Sequence, residues 1–185
     1  MRKFFAFIWE ITKMVVISLA IIIPIRYFLV QPFYVKGASM EPNFHDNEYL
    51  IIDEISYRFN EPQRGEIIVF RYPEDPKEYF IKRIIGLPGE SVEINNGDIY
   101  IYDNNNLDGY KLTEPYLDEN LKTTGSRQKI EVPAGAFYVL GDNRNASKDS
   151  RVFGPISYDY VIGRVFFRGW PFDKISTFPQ VEYSY

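Results

Sequence analysis

A long apolar run near the amino terminus constrains this chain more than any other feature. Residues 14–25, MVVISLAIIIPI, carry no charge, and the apolar character resumes after Arg26. A helix that crosses the hydrocarbon core of a bilayer needs roughly 20 mainly apolar residues. Residues 11–30 supply that length when Lys13 and Arg26 extend towards opposite membrane surfaces. We therefore predict that residues 1–30 form a short tail and one uncleaved transmembrane anchor.

The charges around this run indicate its orientation. Residues 1–36 hold five basic side chains and one acidic one, a net charge of +4, while the whole chain carries −4, so the remainder carries −8. Basic residues before the run favour a cytoplasmic amino terminus, which would place residues 31–185 on the extracytoplasmic face. A folded part with this negative net charge is poorly suited to binding the phosphates of nucleic acid. We expect the lipid bilayer, and no nucleic acid, among its partners.

Two alternatives to an uncleaved anchor stay open at this point. A cleaved signal peptide needs small residues three and one before its cut, and QPFYVKG, residues 31–37, offers no convincing pair. A buried core helix is the other alternative. The uncharged run of 12 residues beginning at position 14 favours the anchor over both.

The rest of the chain has the pattern of a β protein. Short runs rich in branched and aromatic residues alternate with turns such as GLPGE, NNGD and VPAG. These strand-like runs cover residues 48–53, 66–72, 79–86, 91–94, 98–103, 136–141 and 160–169. We predict a mainly antiparallel β-sheet domain over residues 31–185. A polar stretch of about residues 95–130, most polar over 103–130, is predicted to be a small inserted flap outside the main sheet.

The absence of cysteine removes several kinds of chemistry. Without cysteine the chain can form no disulfide, thiolate nucleophile or Cys-ligated metal site. We expect no metal and no cofactor. A hydroxyl nucleophile is the remaining option, and it needs a base to take its proton.

Ser39, in VKGASMEPNF, is the serine in the most unusual context, shortly after the apolar run. It is either a turn residue or a nucleophile held near the membrane. The single histidine, His45, lies six residues away and would have to fold straight back to serve as its base, and the chain has no G-x-S-x-G motif. Lysine is the known alternative base, provided that burial lowers its pKa.

One of the ten lysines lies in an apolar run. Lys82, in YFIKRIIGLPGE, shares one face of a predicted strand with Phe80 and Ile84, while Arg83 points the other way. From the residues alone, Lys82 is equally well explained as an edge-strand lysine whose amine extends into solvent. The pattern does not say which face is the inner one.

A third segment, GDNRNASKDSR at residues 141–151, packs many polar groups directly behind the apolar AFYVL. Such groups satisfy one another in tight hydrogen-bonded turns, where arginine can bind a carboxylate through two bonds. The alternative is a rigid surface loop. We expect a structural role for Asp142, Arg144, Asp149 and Arg151.

Together these segments resemble bacterial type I signal peptidases, the Ser/Lys enzymes that cut leader sequences from exported proteins. An anchor, GASMEP, RGEIIVFRYPEDP, YFIKRIIGLPGE and GDNRNASKDSR follow one another in the family's order. The single anchor and the short flap resemble the smaller Gram-positive forms. The resemblance implies a membrane-bound serine endopeptidase of the bacterial cell membrane, whose partners are exported preproteins cut after small residues in an Ala-x-Ala pattern.

The resemblance also implies a role for individual residues. Ser39 matches the nucleophile, Lys82 the general base and Ser147 the residue that orients the lysine amine, while Asp149 and Arg151 match a bracing pair. One departure is Gly37, where some relatives carry a hydroxyl residue that helps to stabilise the oxyanion. The substrate-binding residues that we expect are Phe33, Val35, Met40, Phe44, Phe80 and Ile81.

Two other classes of protein remain as alternatives. A LexA-like self-cleaving regulator would carry a soluble helix-turn-helix where this chain has its membrane run. A catalytically impaired homologue would act only as a membrane-tethered β binding domain, which explains the anchor and the strands but not the recurrence of Ser39, Lys82 and Ser147 in the family's order. Cleavage activity discriminates between the enzyme and the binding domain.

Overall fold

The amino terminus forms one long helix in the computed structural model, which describes residues 2–28, 31–125, 127–178, 181 and 183. Helix α1 runs from Arg2 to Phe28. By length and composition its stretch Arg2–Ile23 could cross a membrane, with a mean hydropathy of 2.1 and no part buried against the rest of the chain. A core helix of a globular domain would be covered by other elements, and among the described residues no element covers this stretch.

Within the described ranges, the main sheet has eight strands, and every pairing in it is antiparallel. Its strands are β1 (Gln31–Tyr34), β2 (Tyr49–Asp53), β3 (Ile67–Tyr72), β4 (Asp75–Gly86), β9 (Ala136–Leu140), β10 (Ile156–Ser157), β11 (Val161–Trp170) and β12 (Ser176–Thr177). Their order across the sheet is β1-β2-β11-β3-β4-β9-β10, with β12 beside β11. The predicted fold class, mainly antiparallel β after an apolar helix, is confirmed.

The segment that we expected to be a flap forms, with the residues just before it, a smaller sheet of four described strands. Its strands are β5 (Ser91–Asn95), β6 (Asp98–Tyr102), β7 (Tyr110–Lys111) and β8 (Ile130–Glu131), in the order β7-β6-β5-β8. Alternate residues of β5 and β6 are buried, as expected for a sheet with one covered face. Leu112, from the polar stretch, also joins this core with 4% exposure.

Short helices complete the fold. Helix α2 (Ser150–Phe153) begins at Asp149, whose side chain accepts the Arg151 N–H as an N-cap. Single 3-10 turns lie at Ser56–Arg58, Tyr158–Tyr160 and Phe172–Lys174.

The two halves of β4 differ, and this difference creates an open edge. β4 pairs with β3 along most of its length, but it meets β9 only between Arg83 and Gly86. The burial follows the pairing, because the first half is exposed and the second half is buried. Lys82 lies at the boundary between the exposed half of β4 and the half that pairs with β9.

Candidate active site

Ser39 and Lys82 lie together at this point. Lys82 Nζ is 2.7 Å from Ser39 Oγ, and the amine also donates to the Ile81 carbonyl oxygen at 2.7 Å. The two residues are 43 positions apart in the chain. A hydroxyl and an amine at this distance can exchange a proton directly.

The surroundings of Lys82 favour its neutral form. The side chain is 3% exposed, and its amine lies 5.3 Å from the centre of the Phe80 ring. Burial lowers the pKa of Lys82 to about 8, although the carboxylates of Asp149 and Asp142 oppose the shift. A substantial fraction of this lysine is therefore neutral at mildly alkaline pH.

The loop that carries Ser39 is held by hydrogen bonds from the loop after β9. Asn143 donates its backbone N–H to the Ser39 carbonyl oxygen at 3.1 Å and its side-chain amide to the Ala38 carbonyl oxygen at 3.0 Å. The serine loop closes on itself through the Phe44 N–H, which donates to the Met40 carbonyl oxygen at 2.9 Å. The loop after β9 therefore sets the position of the backbone on which Ser39 is held.

A buried ion pair ties the strand of Lys82 to that same loop. Arg83 donates from Nε and Nη2 to the two carboxylate oxygens of Asp142, at 2.9 and 2.6 Å, and both residues are nearly inaccessible. Asn43 adds a bond to Asp142 at 2.8 Å and one to the Tyr116 carbonyl oxygen at 3.1 Å. Asp142 thus contacts the lysine strand and the serine loop at once.

Asp149, the second carboxylate of this loop, accepts hydrogen bonds from residues of the same loop. Arg151 donates from Nε and Nη2 to Asp149, both at 2.8 Å, and the Gly141 N–H donates at 3.0 Å. Burial acts to raise the pKa of Asp149, but these bonds hold it below its usual value. A carboxylate that stays ionised keeps the loop in one conformation.

The side chain of Ser147 lies beside Gly141, next to the Ser39 backbone. A Cβ at Gly141 would fall 2.2 Å from Ser147 Oγ and 2.5 Å from the Ser39 carbonyl oxygen, so only glycine fits at position 141. Ser147 Oγ is buried, and it lies close enough to the Asp149 carboxylate to help hold the pKa of Asp149 below its usual value.

The polar insertion supports this loop instead of standing apart from it. Glu114 pairs with the buried Arg144, which also donates to Thr123 Oγ1. The Tyr116 ring covers Arg83, with 3.7 Å between the guanidinium carbon and the ring centre. The sequence suggested that these polar groups would satisfy one another inside their own loop, and Arg144 Nε does donate to the Gly141 carbonyl oxygen at 3.1 Å. The charge partners of Asp142 and Arg144 come instead from β4 and the insertion.

An apolar cleft of about 520 Å³ opens beside Ser39. Four of the expected substrate-binding residues line it, namely Phe33, Val35, Phe80 and Ile81. Met40 and Phe44, which we expected there, lie instead in the core beneath the cleft, with 1% and 0% exposure. They were misplaced because a loop residue close in sequence to the serine can point inwards as easily as outwards.

The backbone conformation at position 37 explains why this residue is a glycine. Its φ is +91°, a conformation that side chains other than glycine adopt at a cost, and its N–H donates to Asp46 Oδ1 at 2.7 Å. A Cβ there would meet no atom within 4 Å, so space is not the reason for glycine. A hydroxyl residue at this position would need a different local backbone.

His45 lies near Glu41 and is not among the residues that line the cleft. Its Nδ1 is 3.7 Å from Glu41 Oε1, and its side chain is 43% exposed. Among the described residues, no group of three or more His, Cys, Asp or Glu side chains could hold a metal ion.

Three functional neighbours escaped the sequence analysis. They are Arg83, which holds Asp142; Asn43, which joins the serine loop to Asp142; and Glu114, which holds Arg144. The available signal was an arginine beside Lys82 in an apolar run, which needs a buried carboxylate as partner. Nothing in the local sequence marks Asn43 or Glu114.

Comparison with known proteins gives one consistent result. The model of the family described as signal peptidase, peptidase S26, matches residues 8–170. The protein named "Probable signal peptidase I-1" from Synechocystis sp. (strain PCC 6803) is 37% identical over 172 residues, which cover 89% of this chain and 84% of the relative. Signal peptidase IB from Staphylococcus aureus (strain Mu50) is 35% identical over 176 residues, covering 86% of this chain and 88% of the relative.

Among solved structures, a signal peptidase I from Enterococcus faecalis V583 matches with 34% identity and a TM-score of 0.47, covering 57% of this chain and 97% of that one. The family match and the two relatives define the class: this chain belongs to the signal peptidase family, peptidase S26, and is a serine peptidase. Members of this family remove signal peptides from exported preproteins, and an exposed apolar helix at the amino terminus is consistent with a single-pass membrane protein.

Proposed function

We propose that this peptidase cuts preproteins with a Ser39–Lys82 dyad, after small residues in an Ala-x-Ala pattern. The observation that carries the proposal is the 2.7 Å contact between Ser39 Oγ and a lysine amine that is almost fully buried. Burial supplies the lowered pKa without which lysine cannot act as a base near neutral pH. The binding-domain alternative gives no reason to bury a lysine against a serine hydroxyl.

The reaction proceeds in two halves. Neutral Lys82 takes the proton of Ser39 as Oγ attacks the scissile carbonyl carbon. The tetrahedral intermediate then expels the amine of the mature protein, which receives the proton from Lys82. Lys82 next takes a proton from water, and the resulting hydroxide attacks the ester carbonyl carbon. The second tetrahedral intermediate breaks its bond to Ser39 Oγ, which takes the proton back from Lys82, and the leader peptide leaves as a carboxylic acid. The Ser39 backbone N–H faces the developing oxyanion, and Gly37 brings no hydroxyl to help it.

The residues around the dyad act by holding it in place. Ser147 orients the Lys82 amine, a role supported by the position of its buried hydroxyl beside Gly141 and the Ser39 backbone. Asp149 with Arg151, Asp142 with Arg83, and Arg144 with Glu114 brace the loop from which Asn143 holds the Ser39 backbone. These residues position the reacting groups and do not touch the scissile bond.

The substrate lies as an extended strand in the cleft. The open part of β4 forms one wall of this cleft, and the end of β1 with the two residues after it forms the other, since residues 33–36 and 78–82 line it. Main-chain bonds to an unpaired strand edge set the register, and alternate side chains of the peptide enter apolar pockets. Phe33, Phe80 and Ile81 leave room for small side chains, so the selection of alanine is steric.

The anchor completes the proposal. With residues 1–30 as a cytoplasmic tail and membrane span, residues 31–185 lie on the extracytoplasmic face, and the cleft is held near the membrane surface. Tethering raises the effective concentration of a substrate whose leader is in the same bilayer. Because the natural chain has no cysteine, single cysteines at Lys3 and at Phe59 test this topology. A membrane-impermeant maleimide should label intact cells only at position 59.

Cleavage of a labelled preprotein by the detergent-solubilised enzyme tests the specificity. We expect mass spectrometry to locate the cut after the second alanine of Ala-x-Ala, and substitution of either alanine by leucine to abolish cutting. A leucine at the control position between the two alanines should be tolerated. Cutting that ignores both alanines would overturn the steric account, and a folded enzyme that is inert on several such substrates would favour the binding domain.

A further inference from the structure

The chain continues past the end of the family match, and this continuation packs behind the serine loop. The match ends at residue 170, whereas β12 (Ser176–Thr177) pairs with β11, with Thr177 opposite Phe167 and Ser176 opposite Arg168. The tail is therefore tied to the main sheet next to the part that carries the serine loop.

Phe178, directly after β12, packs against the underside of that loop. Its ring centre lies 4.5 Å from the ring centre of Phe44, at an angle of 33°. Phe178 is partly buried against the same apolar cluster that contains Met40 and Phe44. Met40 follows the nucleophilic serine directly, and Phe44 closes the loop by its backbone bond to Met40.

Arg168 fixes the two rings together. Its guanidinium carbon lies 5.0 Å from the Phe44 ring centre and 5.2 Å from that of Phe178. The same guanidinium pairs with Glu48 at 3.0 Å and donates to the Asn43 carbonyl oxygen. The buried guanidinium of Arg168 therefore contacts both the serine loop, at Phe44, and the tail, at Phe178. Such cation–π contacts stabilise the two rings in their positions.

We propose that Phe178 is a positioning residue for Ser39, acting through Phe44. It does not line the substrate cleft, so its effect on the reaction is indirect, and its contact with Phe44 connects it to the serine loop. Loss of its ring leaves a void behind Phe44, into which the loop can relax, and a displacement of about 1 Å in a reacting atom can cost on the order of a hundredfold in rate. The proposal rests on the proposed function, since Ser39 must be the nucleophile for its position to matter.

The test compares Phe178→Ala, Phe178→Leu and Ile175→Ala, a matched change of an exposed apolar residue in the same tail. Steady-state cleavage is measured in detergent well below the unfolding temperature of each variant. We expect Phe178→Ala to lower kcat about tenfold with KM within about twofold. Phe178→Leu should restore most of kcat because leucine refills the void, and Ile175→Ala should behave as wild type.

Three results would overturn the proposal. A lowered unfolding temperature with unchanged kcat would make Phe178 merely structural. A raised KM with unchanged kcat would place it in substrate binding. An equal loss in Phe178→Leu and Phe178→Ala would show that filling the space behind Phe44 is not what matters. If the alanine variant does not fold, a folded Phe178→Leu variant whose kcat is about tenfold lower would contradict the proposal in the same way. Wild-type cleavage that is insensitive to Ser39→Ala would instead refute the proposed function itself.

Discussion

Arg83 and Asp142 are joined by two hydrogen bonds in the interior, directly behind the residue that we propose as the base. The bonds are 2.9 and 2.6 Å long, and the two residues are 4% and 1% exposed. Because Arg83 follows Lys82 in β4, the two side chains leave opposite faces of the strand. One face therefore presents the amine to Ser39, while the other binds the loop that holds the Ser39 backbone.

Breaking this pair should damage both stability and catalysis. Asp142→Asn keeps the shape but leaves a buried arginine without its charge partner, which typically costs about 3 kcal/mol of stability. We expect a lower unfolding temperature in detergent and a fall in kcat that persists at temperatures where the variant is folded. Asp173→Asn, at an exposed position, is the matched control. A fully active, equally stable Asp142→Asn would show that the brace is dispensable.

The pH dependence of cleavage follows from the lysine. A general base works in its unprotonated form, and burial lowers the pKa of Lys82 to about 8. We expect kcat/KM to rise with pH and level off above an apparent pKa of about 8 for the free enzyme. Initial rates between pH 6 and pH 10 would check this. A profile that is flat from pH 6 to pH 9 would contradict Lys82 as the base.

The same shift predicts that Lys82 costs stability. Its pKa is about 8 in the folded chain and about 10.4 in an unfolded chain. Between these values the unfolded state binds more protons, so the contribution of Lys82 to stability rises with pH through this window. Below pH 8 the buried ammonium is destabilising.

Lys82→Met should therefore stabilise the protein at pH 7 by about 1–3 kcal/mol, and the gain over wild type should shrink between pH 8 and pH 10.5. Thermal unfolding of the two proteins at several pH values measures this difference. Lys129→Met, which removes an exposed lysine, controls for the change of net charge. A destabilised Lys82→Met at pH 7 would mean that the amine is better solvated than its burial indicates.

The insertion should matter for catalysis, because Glu114 holds Arg144. Glu114→Gln weakens this pair, which involves an arginine side chain only 1% exposed. We expect a stability loss of about 2 kcal/mol and a several-fold lower kcat with little change in KM. Circular dichroism and steady-state cleavage would report both, with the exposed Glu119→Gln as control. Unchanged kcat in a folded Glu114→Gln variant would assign the insertion a purely structural role.

The strands show how far the sequence could be interpreted. β5 and β6 were predicted to within one residue, because alternating burial leaves a clear two-residue pattern in each. β7, β8, β10 and β12 have two residues each, too few for any periodicity, and β1 contains Pro32, which is uncommon inside strands. Short edge strands form because neighbours are already in place, and their own sequence does not specify them.

In the candidate site, too, some residues could be predicted from the local sequence and others could not. Ser39 and Lys82 could be selected because each has a chemical type and a local context that few other residues share. The pair Arg83–Asp142 spans 59 residues and Arg144–Glu114 spans 30, and no local pattern reports such partners. Met40 and Phe44 were misplaced for the same reason, since only the packing of β2 and the tail decides which way the serine loop faces.

The central claim is that Ser39 and Lys82 act together, and one comparison tests it most directly. Wild type, Ser39→Ala and Lys82→Ala, each shown to be folded, are incubated with a labelled Ala-x-Ala preprotein in detergent, and the products are identified by mass spectrometry. We predict that wild type releases the mature protein at a single site and that both variants lose at least about a thousandfold in kcat/KM. Full activity in Lys82→Ala would place the base elsewhere, and full activity in Ser39→Ala would remove the proposed nucleophile.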